Sequence, residues 1–211
     1  MELNIEAIYK SRIEDLWNDQ NFQHVDYIER GYAVQRAIKH DSLLFVGINP
    51  SLENKNDTSP KRFFYRAEND IKIHKYFNKF PKIASEANLH WSHLDLLYLR
   101  ETKQDNIKAV CEDAFSLPFI RKQLELSKEI IEQCKPKIIV VCNTHARDLF
   151  VKSFFLQTEF DKEIGTHRIK DNIYLKGTPV FFSGMITGQR ALDNGSFERL
   201  VWHINYVLNK I

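Results

Sequence analysis

The run Leu43-Leu44-Phe45-Val46-Gly47-Ile48-Asn49-Pro50 carries an apolar strand directly into a glycine, an amide and a proline, and then into a long polar loop. In an open parallel sheet, ligands bind beyond the carboxyl ends of the strands, and a junction of this kind lets backbone approach a ligand on a rigid turn. Gly47, Ile48, Asn49 and Pro50 are therefore candidate binding residues, although the same residues also suit an ordinary strand exit. Ser183, Gly184 and Thr187 follow a second apolar run, Val180-Phe181-Phe182. They offer backbone and hydroxyl donors to a phosphate or a polar ring, or else form a tight turn. Basic residues collect near strand-like runs as well: Lys61, Arg62 and Arg66, then Arg100 and Lys103, then His167, Arg168 and Lys170, with Arg190 in the loop after Ser183. Brought to one face they make a phosphate-binding rim; dispersed, they are solvated surface, which the spacing slightly favours.

Other chemistries find little support. Cys111, Cys134 and Cys142 are widely spaced, with no Cys-x-x-Cys pair, so a disulfide framework or a four-cysteine cluster is excluded. Cys142 reads as a small buried residue. His90-x-x-His93 is the nearest approach to a metal pattern and lacks further ligands at recognisable spacing. No metal, iron-sulfur cluster or cofactor is expected. Gly-x-Ser-x-Gly, P-loop and Gly-x-Gly-x-x-Gly patterns are absent, which leaves a small-molecule hydrolase or transferase without a motif.

The elements that must position these residues follow from periodicity. Residues 5–17 and 25–38 carry apolar side chains at helical spacing and read as two opening helices. Residues 43–47, 94–99, 138–142 and 180–183 read as buried strands, with residues 173–175 as a further short strand candidate. Between them, helices are expected around 71–80, at 117–134 before Lys135-Pro136, at 146–155 after an Asn143-Thr144 cap, and from about 196 to the end. Apolar strands alternating with helices predict an α/β protein, a three-layer α/β/α sandwich with a four-stranded, mainly parallel central sheet. With 211 residues, 43% hydrophobic and 27% charged, the chain is read as a single domain over 1–211, with residues 1–40 as an N-terminal helical part. No apolar run is long enough to span a bilayer and the acidic start lacks the features of a signal peptide, so a cytoplasmic monomer is expected. A net charge of +2 is too small to announce nucleic-acid binding by bulk electrostatics.

Taken together, these motifs resemble the uracil-DNA glycosylase superfamily. Gly47-Ile48-Asn49-Pro50 is similar to the first motif of its mismatch-specific uracil and thymine glycosylase branch, and Ser59-Pro60-Lys61-Arg62-Phe63-Phe64 is similar to the aromatic end of the same loop. The order of later elements, from Arg100-Glu101-Thr102 through the 135–141 strand to Ser196-Phe197-Glu198-Arg199-Leu200, also agrees, over residues 43–208. The second motif departs: family members follow the last core strand with His-Pro-Ser or Asn-Pro-Ser-Gly, whereas here Ser183-Gly184-Met185-Ile186-Thr187-Gly188-Gln189-Arg190 stands.

The resemblance implies a monofunctional, metal-free enzyme of DNA repair that excises uracil or a related mismatched base, with DNA as partner. Cleavage of a base from deoxyribose passes through an oxocarbenium-like sugar and a developing anion on the base, so the site must place water and offer donors to the departing oxygen. The resemblance gives Asn49 the first task, since its amide oxygen can accept a water hydrogen bond but is no strong base. As a surface-loop amide it is expected to contribute little to the core. Phe63, Phe64 and Tyr65 are candidates for stacking on an extruded base, Phe64 ranked first, with anchoring of the loop as the alternative. Ser183 and Gly184 would hold the base; Lys61, Arg62 and Arg190 would contact phosphate, Arg190 alternatively filling the gap left by a flipped base. Asp95, an acid within an apolar run, suggests a buried hydrogen-bonding role or a polar contact at the site. The rival expectation is a nucleic-acid or nucleotide-binding protein that keeps the fold without efficient hydrolysis.

Overall fold

The computed structural model describes residues 1–52, 60–70, 75–152, 155–188 and 191–211, with the side chain of Asp70 left aside. In chain order the strands are β1 (Glu2–Asn4), β2 (Tyr32–Gln35), β3 (Ala37–Lys39), β4 (Leu43–Gly47), β5 (Arg62–Tyr65), β6 (Trp91–Asp95), β7 (Ile138–Val141), β8 (Thr158–Asp161), β9 (Thr166–Ile169) and β10 (Pro179–Phe182). The helices are α1 (Ile5–Asn18), α2 (Ala67–Asp70), α3 (Phe80–Glu86), α4 (Gln104–Glu112), α5 (Leu117–Cys134), α6 (Thr144–Phe150) and α7 (Asn194–Leu208).

The protein is a mixed α/β fold around a six-stranded, mainly parallel sheet in the order β6-β4-β7-β10-β9-β8. Strand β4 is flanked in parallel by β6, Leu43 opposite Trp91 and Gly47 opposite Asp95, and by β7, Leu43 opposite Ile138. Successive side chains of a strand point to opposite faces, and both faces are covered. Leu44, Val46, Ile139, Val141 and Val180 join one core with residues of α1, α5 and α6. Leu43, Phe45, Ile138, Val140 and Phe181 join another with α3 and α7. This double burial is why the strands read as unbroken apolar runs.

Several expectations are corrected. The sheet has six strands rather than four, because the antiparallel hairpin β8-β9 pairs with β10. Its sequences, Thr-Glu-Phe-Asp and Thr-His-Arg-Ile, lie at the sheet edge and carry no apolar run. Residues 173–175 form a turn instead of a strand, with Ile173 and Tyr174 exposed.

Residues 25–38 are not a helix. Tyr27 and Gly31 take positive φ, 69° and 78°, which breaks helical propagation before β2 and β3. Gly31 is obligatory, since a Cβ there would stand 2.0 Å from the Lys61 carbonyl oxygen. A further correction is that β6 ends at Asp95, so residues 96–99 leave the sheet. Their backbone is satisfied elsewhere: Leu96 and Leu97 donate to Gly47 and Ile48 carbonyls, the Tyr98 N–H donates to Gln123 Oε1 at 2.7 Å, and Ser127 Oγ donates to the Leu96 carbonyl at 2.9 Å. Of the expected helix at 71–80, residues 71–74 lie outside the described residues, and α3 begins only at Phe80.

The helix at 117–134 is α5 as expected. The helix expected at 146–155 is the shorter α6, begun by the predicted Asn143 cap, whose side chain accepts from the His145 and Ala146 N–H groups. Among the described residues no helix is long and apolar enough to cross a membrane.

Candidate functional site

After β4 the chain moves to β6 on one side and later returns to β7 on the other. The connections diverge at the carboxyl end of β4, which is where an open α/β sheet leaves a crevice. A cavity of about 280 Å³ lies there, lined by Ile48, Asn49 and Pro50 after β4, Asp95 at the end of β6, and Cys142 and Asn143 after β7. Phe63 and Tyr65 of β5, Tyr76 and Phe77 of the following 3-10 turn, Glu101, and Met185 after β10 complete its walls.

Two amides in this cavity are held by opposite ends. Asn49 Nδ2 donates to the carbonyls of Pro50, Leu99 and Glu101 at 3.0, 3.1 and 2.7 Å, which settles which end of the amide is nitrogen and leaves Oδ1 uncommitted among the described residues. Asn143 Oδ1 is taken by the start of α6, at 2.8 Å to the His145 N–H, so its Nδ2 is the end left uncommitted among the described residues. One fixed acceptor and one fixed donor thus border the same space. The clasp also corrects the expectation that Asn49 contributes little to stability, because it ties the 99–101 segment to the β4 exit.

The aromatic wall follows from strand periodicity. In β5, Phe63 and Tyr65 share one side and face the cavity, while Phe64 points the other way. Phe64 is 8% exposed and packs edge-on against Tyr32 with ring centres 5.8 Å apart, so the expected stacking residue is a core residue, and Phe63 and Tyr65 are the ones that line the cavity.

The floor is polar and buried. A Cβ on Gly47 would lie 2.1 Å from Asp95 Oδ1 and 3.1 Å from His93 Nε2, so glycine is what makes room for this pair. His93 Nε2 stands 3.5 Å from Asp95 Oδ1 without making a hydrogen bond, and the Tyr65 hydroxyl donates to Asp95 Oδ2 at 3.5 Å. Burial pushes the Asp95 carboxyl up to about 7, only partly offset by Tyr65, and pushes His93 down to about 3. Burial also raises the Tyr76 hydroxyl and the Cys142 thiol, so both stay neutral.

Glu101 is the opposite case. Burial raises its carboxyl, but hydrogen bonds from the Lys103 N–H and Asn106 and the charge of Arg30 outweigh that and hold it below the usual range.

The remaining expected residues are placed as follows. Ser183 and Gly184 do not line the cavity; the Ser183 N–H is spent on the Val141 carbonyl, and Met185 is the lining residue instead. Thr187 is buried, donating to the Tyr76 carbonyl at 2.9 Å, and thereby ties its loop over the aromatic wall. Lys61 is exposed beyond the cavity lining. Arg62 is also outside the lining and donates to Asn18 Oδ1 at 2.6 Å, which makes it a brace to the end of α1. Arg190 lies outside the described residues.

His93, Tyr76, Glu101, Asn143 and Met185 were not anticipated at the site. Only the acid within an apolar strand, Asp95, marked this floor in the sequence. Among the described residues no group of three or more His, Cys, Asp or Glu is placed to hold a metal ion. No protein-family model matches the chain, and no curated protein matches it.

Proposed function

We propose that the chain is a three-layer α/β/α sandwich acting as a DNA glycosylase that hydrolyses the N-glycosidic bond of uracil or a related base in DNA. The observation that carries this reading is the Asn49 amide, clamped by its nitrogen to three carbonyls so that its oxygen remains for water, at the edge of a cavity walled by Phe63, Tyr65, Tyr76 and Phe77. An extruded base costs a few kcal/mol to unstack, which aromatic walls in a narrow cavity offset. Hydrolysis then needs a water held on the sugar side and donors on the base side. Asn49 Oδ1 orients the water, and Asn143 Nδ2 and the Tyr76 hydroxyl are the donors nearest to hand. The resemblance of Gly47-Ile48-Asn49-Pro50 to the mismatch-specific glycosylase branch supports the same assignment.

A second reading, a nucleic-acid or nucleotide-binding protein without efficient hydrolysis, is favoured by one observation: among the described residues of the loop after β10, it is Met185 and no hydrogen-bond donor that lines the cavity. The deciding experiment incubates the protein with single- and double-stranded oligonucleotides carrying one uracil, a thymine mismatch or hypoxanthine, followed by alkaline cleavage at abasic sites. Strand scission at one of these bases is the expected result; binding without scission on every substrate selects the second reading.

A further inference from the structure

Among the described residues, the loop after β10 brings only Met185 to the cavity, so we look elsewhere for the group that meets the negative charge developing on a departing base. We propose, on the basis of the glycosylase reading above, that Asp95 is the general acid, its carboxyl O–H protonating the base as the glycosidic bond breaks. The geometry supports this in three ways. Asp95 ends β6 directly opposite Gly47 in register, the missing side chain of Gly47 makes room for its carboxyl, and Asp95 lines the cavity. The carboxyl is 7% exposed, and among the described residues no lysine or arginine pairs with it. Its surroundings are the Tyr65 and Tyr76 hydroxyls, the neutral His93 ring and the Cys142 thiol, none of which supplies a positive charge to hold a carboxylate.

A second carboxyl in the same cavity, Glu101, is kept ionised by Arg30, the Lys103 N–H and Asn106. Two carboxyls pushed apart by their environments are the arrangement in which one donates a proton and the other remains a fixed anion. The anion favours the cationic sugar. Burial, raising Asp95 to about 7, keeps a useful share protonated at neutral pH.

The step balances. The C1′–N bond breaks with its electron pair leaving on the base, which takes the proton from Asp95. Water held by Asn49 attacks C1′ through its oxygen, and the proton it sheds returns to the Asp95 carboxylate or passes to solvent. The products are the free base and the abasic sugar.

The test is single-turnover excision from oligonucleotides carrying uracil or 5-fluorouracil, whose electron-poor ring leaves more readily as an anion, across pH 5 to 9. Wild type is expected to slow about tenfold per pH unit above about pH 7 on uracil, as a required acid deprotonates. The decline on 5-fluorouracil is expected to be shallower. Asp95→Asn is expected to lose about 10²-fold or more on uracil, to lose less on 5-fluorouracil, and to flatten the profile. Equal losses on the two bases, or an unchanged rate and profile in Asp95→Asn, would overturn the assignment while leaving the glycosylase reading intact. Should Asp95→Asn fail to fold, the two wild-type profiles still decide: identical slopes on both bases overturn it. No excision by wild type on either base overturns the glycosylase reading, and the acid assignment with it.

Discussion

At the scale of single residues, the side chain of Asn49 does two jobs with its two ends. Removing it frees the cavity of its fixed acceptor and leaves the Leu99 and Glu101 carbonyls without their shared donor. Asn49→Ala should therefore reduce excision by about 10²-fold or more and also lower stability by about 1–3 kcal/mol. Single-turnover assay beside thermal melting measures both, and a variant as active as wild type would remove Asn49 from the chemistry. The floor offers a separate test through pH. His93, lowered to about 3 from 6.5, lends stability that is complete above pH 6.5 and drains away as pH falls toward 3. Asp95, raised to about 7 from 3.8, does the reverse: its burial is tolerated below pH 4 and costs stability as pH rises toward 7. Between pH 4 and 6.5 the two slopes oppose, each at most about 1.4 kcal/mol per pH unit. Relative to wild type, Asp95→Asn should gain stability as pH rises through this window and His93→Gln should gain as it falls. Melting curves for both variants from pH 4 to 8 check the signs, and parallel curves would show that neither group titrates as its burial requires.

At the scale of elements, α5 supports the site from behind the sheet. Gln123 accepts the Tyr98 N–H and so holds the segment whose carbonyls clasp Asn49. Gln123→Leu should cost about 1–3 kcal/mol by stranding a buried N–H. It should also weaken excision although Gln123 is not among the cavity-lining residues, and chemical denaturation with the same assay reads both effects. These elements were unequally legible. Runs of apolar residues buried on both faces announced β4 and β7, and Lys135-Pro136 closed α5 where expected. Residues 25–38 deceived because two short strands and a 3-10 turn can present apolar side chains at helical spacing; Gly31, with its positive φ, was the cue against a helix. Residues 96–99 continued an apolar run after the sheet had ended, since their amides found partners on α5 and in the β4 exit, a tertiary arrangement with no local signature. Asn49 lines the cavity from a motif visible in the sequence, whereas Tyr76, Glu101 and Asn143 reach it only through the strand order.

At the scale of the whole molecule, a net charge of +2 means that any DNA affinity, as the glycosylase reading requires, must come from local contacts with phosphate. Binding of a duplex oligonucleotide should weaken steeply with salt. Lys61→Ala should reduce the slope of log affinity against log salt by about one. Arg62→Ala should leave that slope unchanged and lower the melting temperature instead, because its guanidinium is occupied by Asn18. Salt titrations of the two variants separate these roles, and equal slope changes would return Arg62 to the DNA surface.

The strand order also has a kinetic meaning. The meander β8-β9-β10 joins neighbours that are close along the chain, whereas β4 must wait for β6 and, much later, for β7, Leu43 meeting Ile138. Contacts between distant parts of a chain form slowly, because loop closure must be paid before they return anything. The crevice beside Asn49 exists only once both partners of β4 have arrived, so a partly refolded chain would carry its antiparallel edge before it carried any pocket, and recovery of ligand binding during refolding should lag behind the appearance of β-structure.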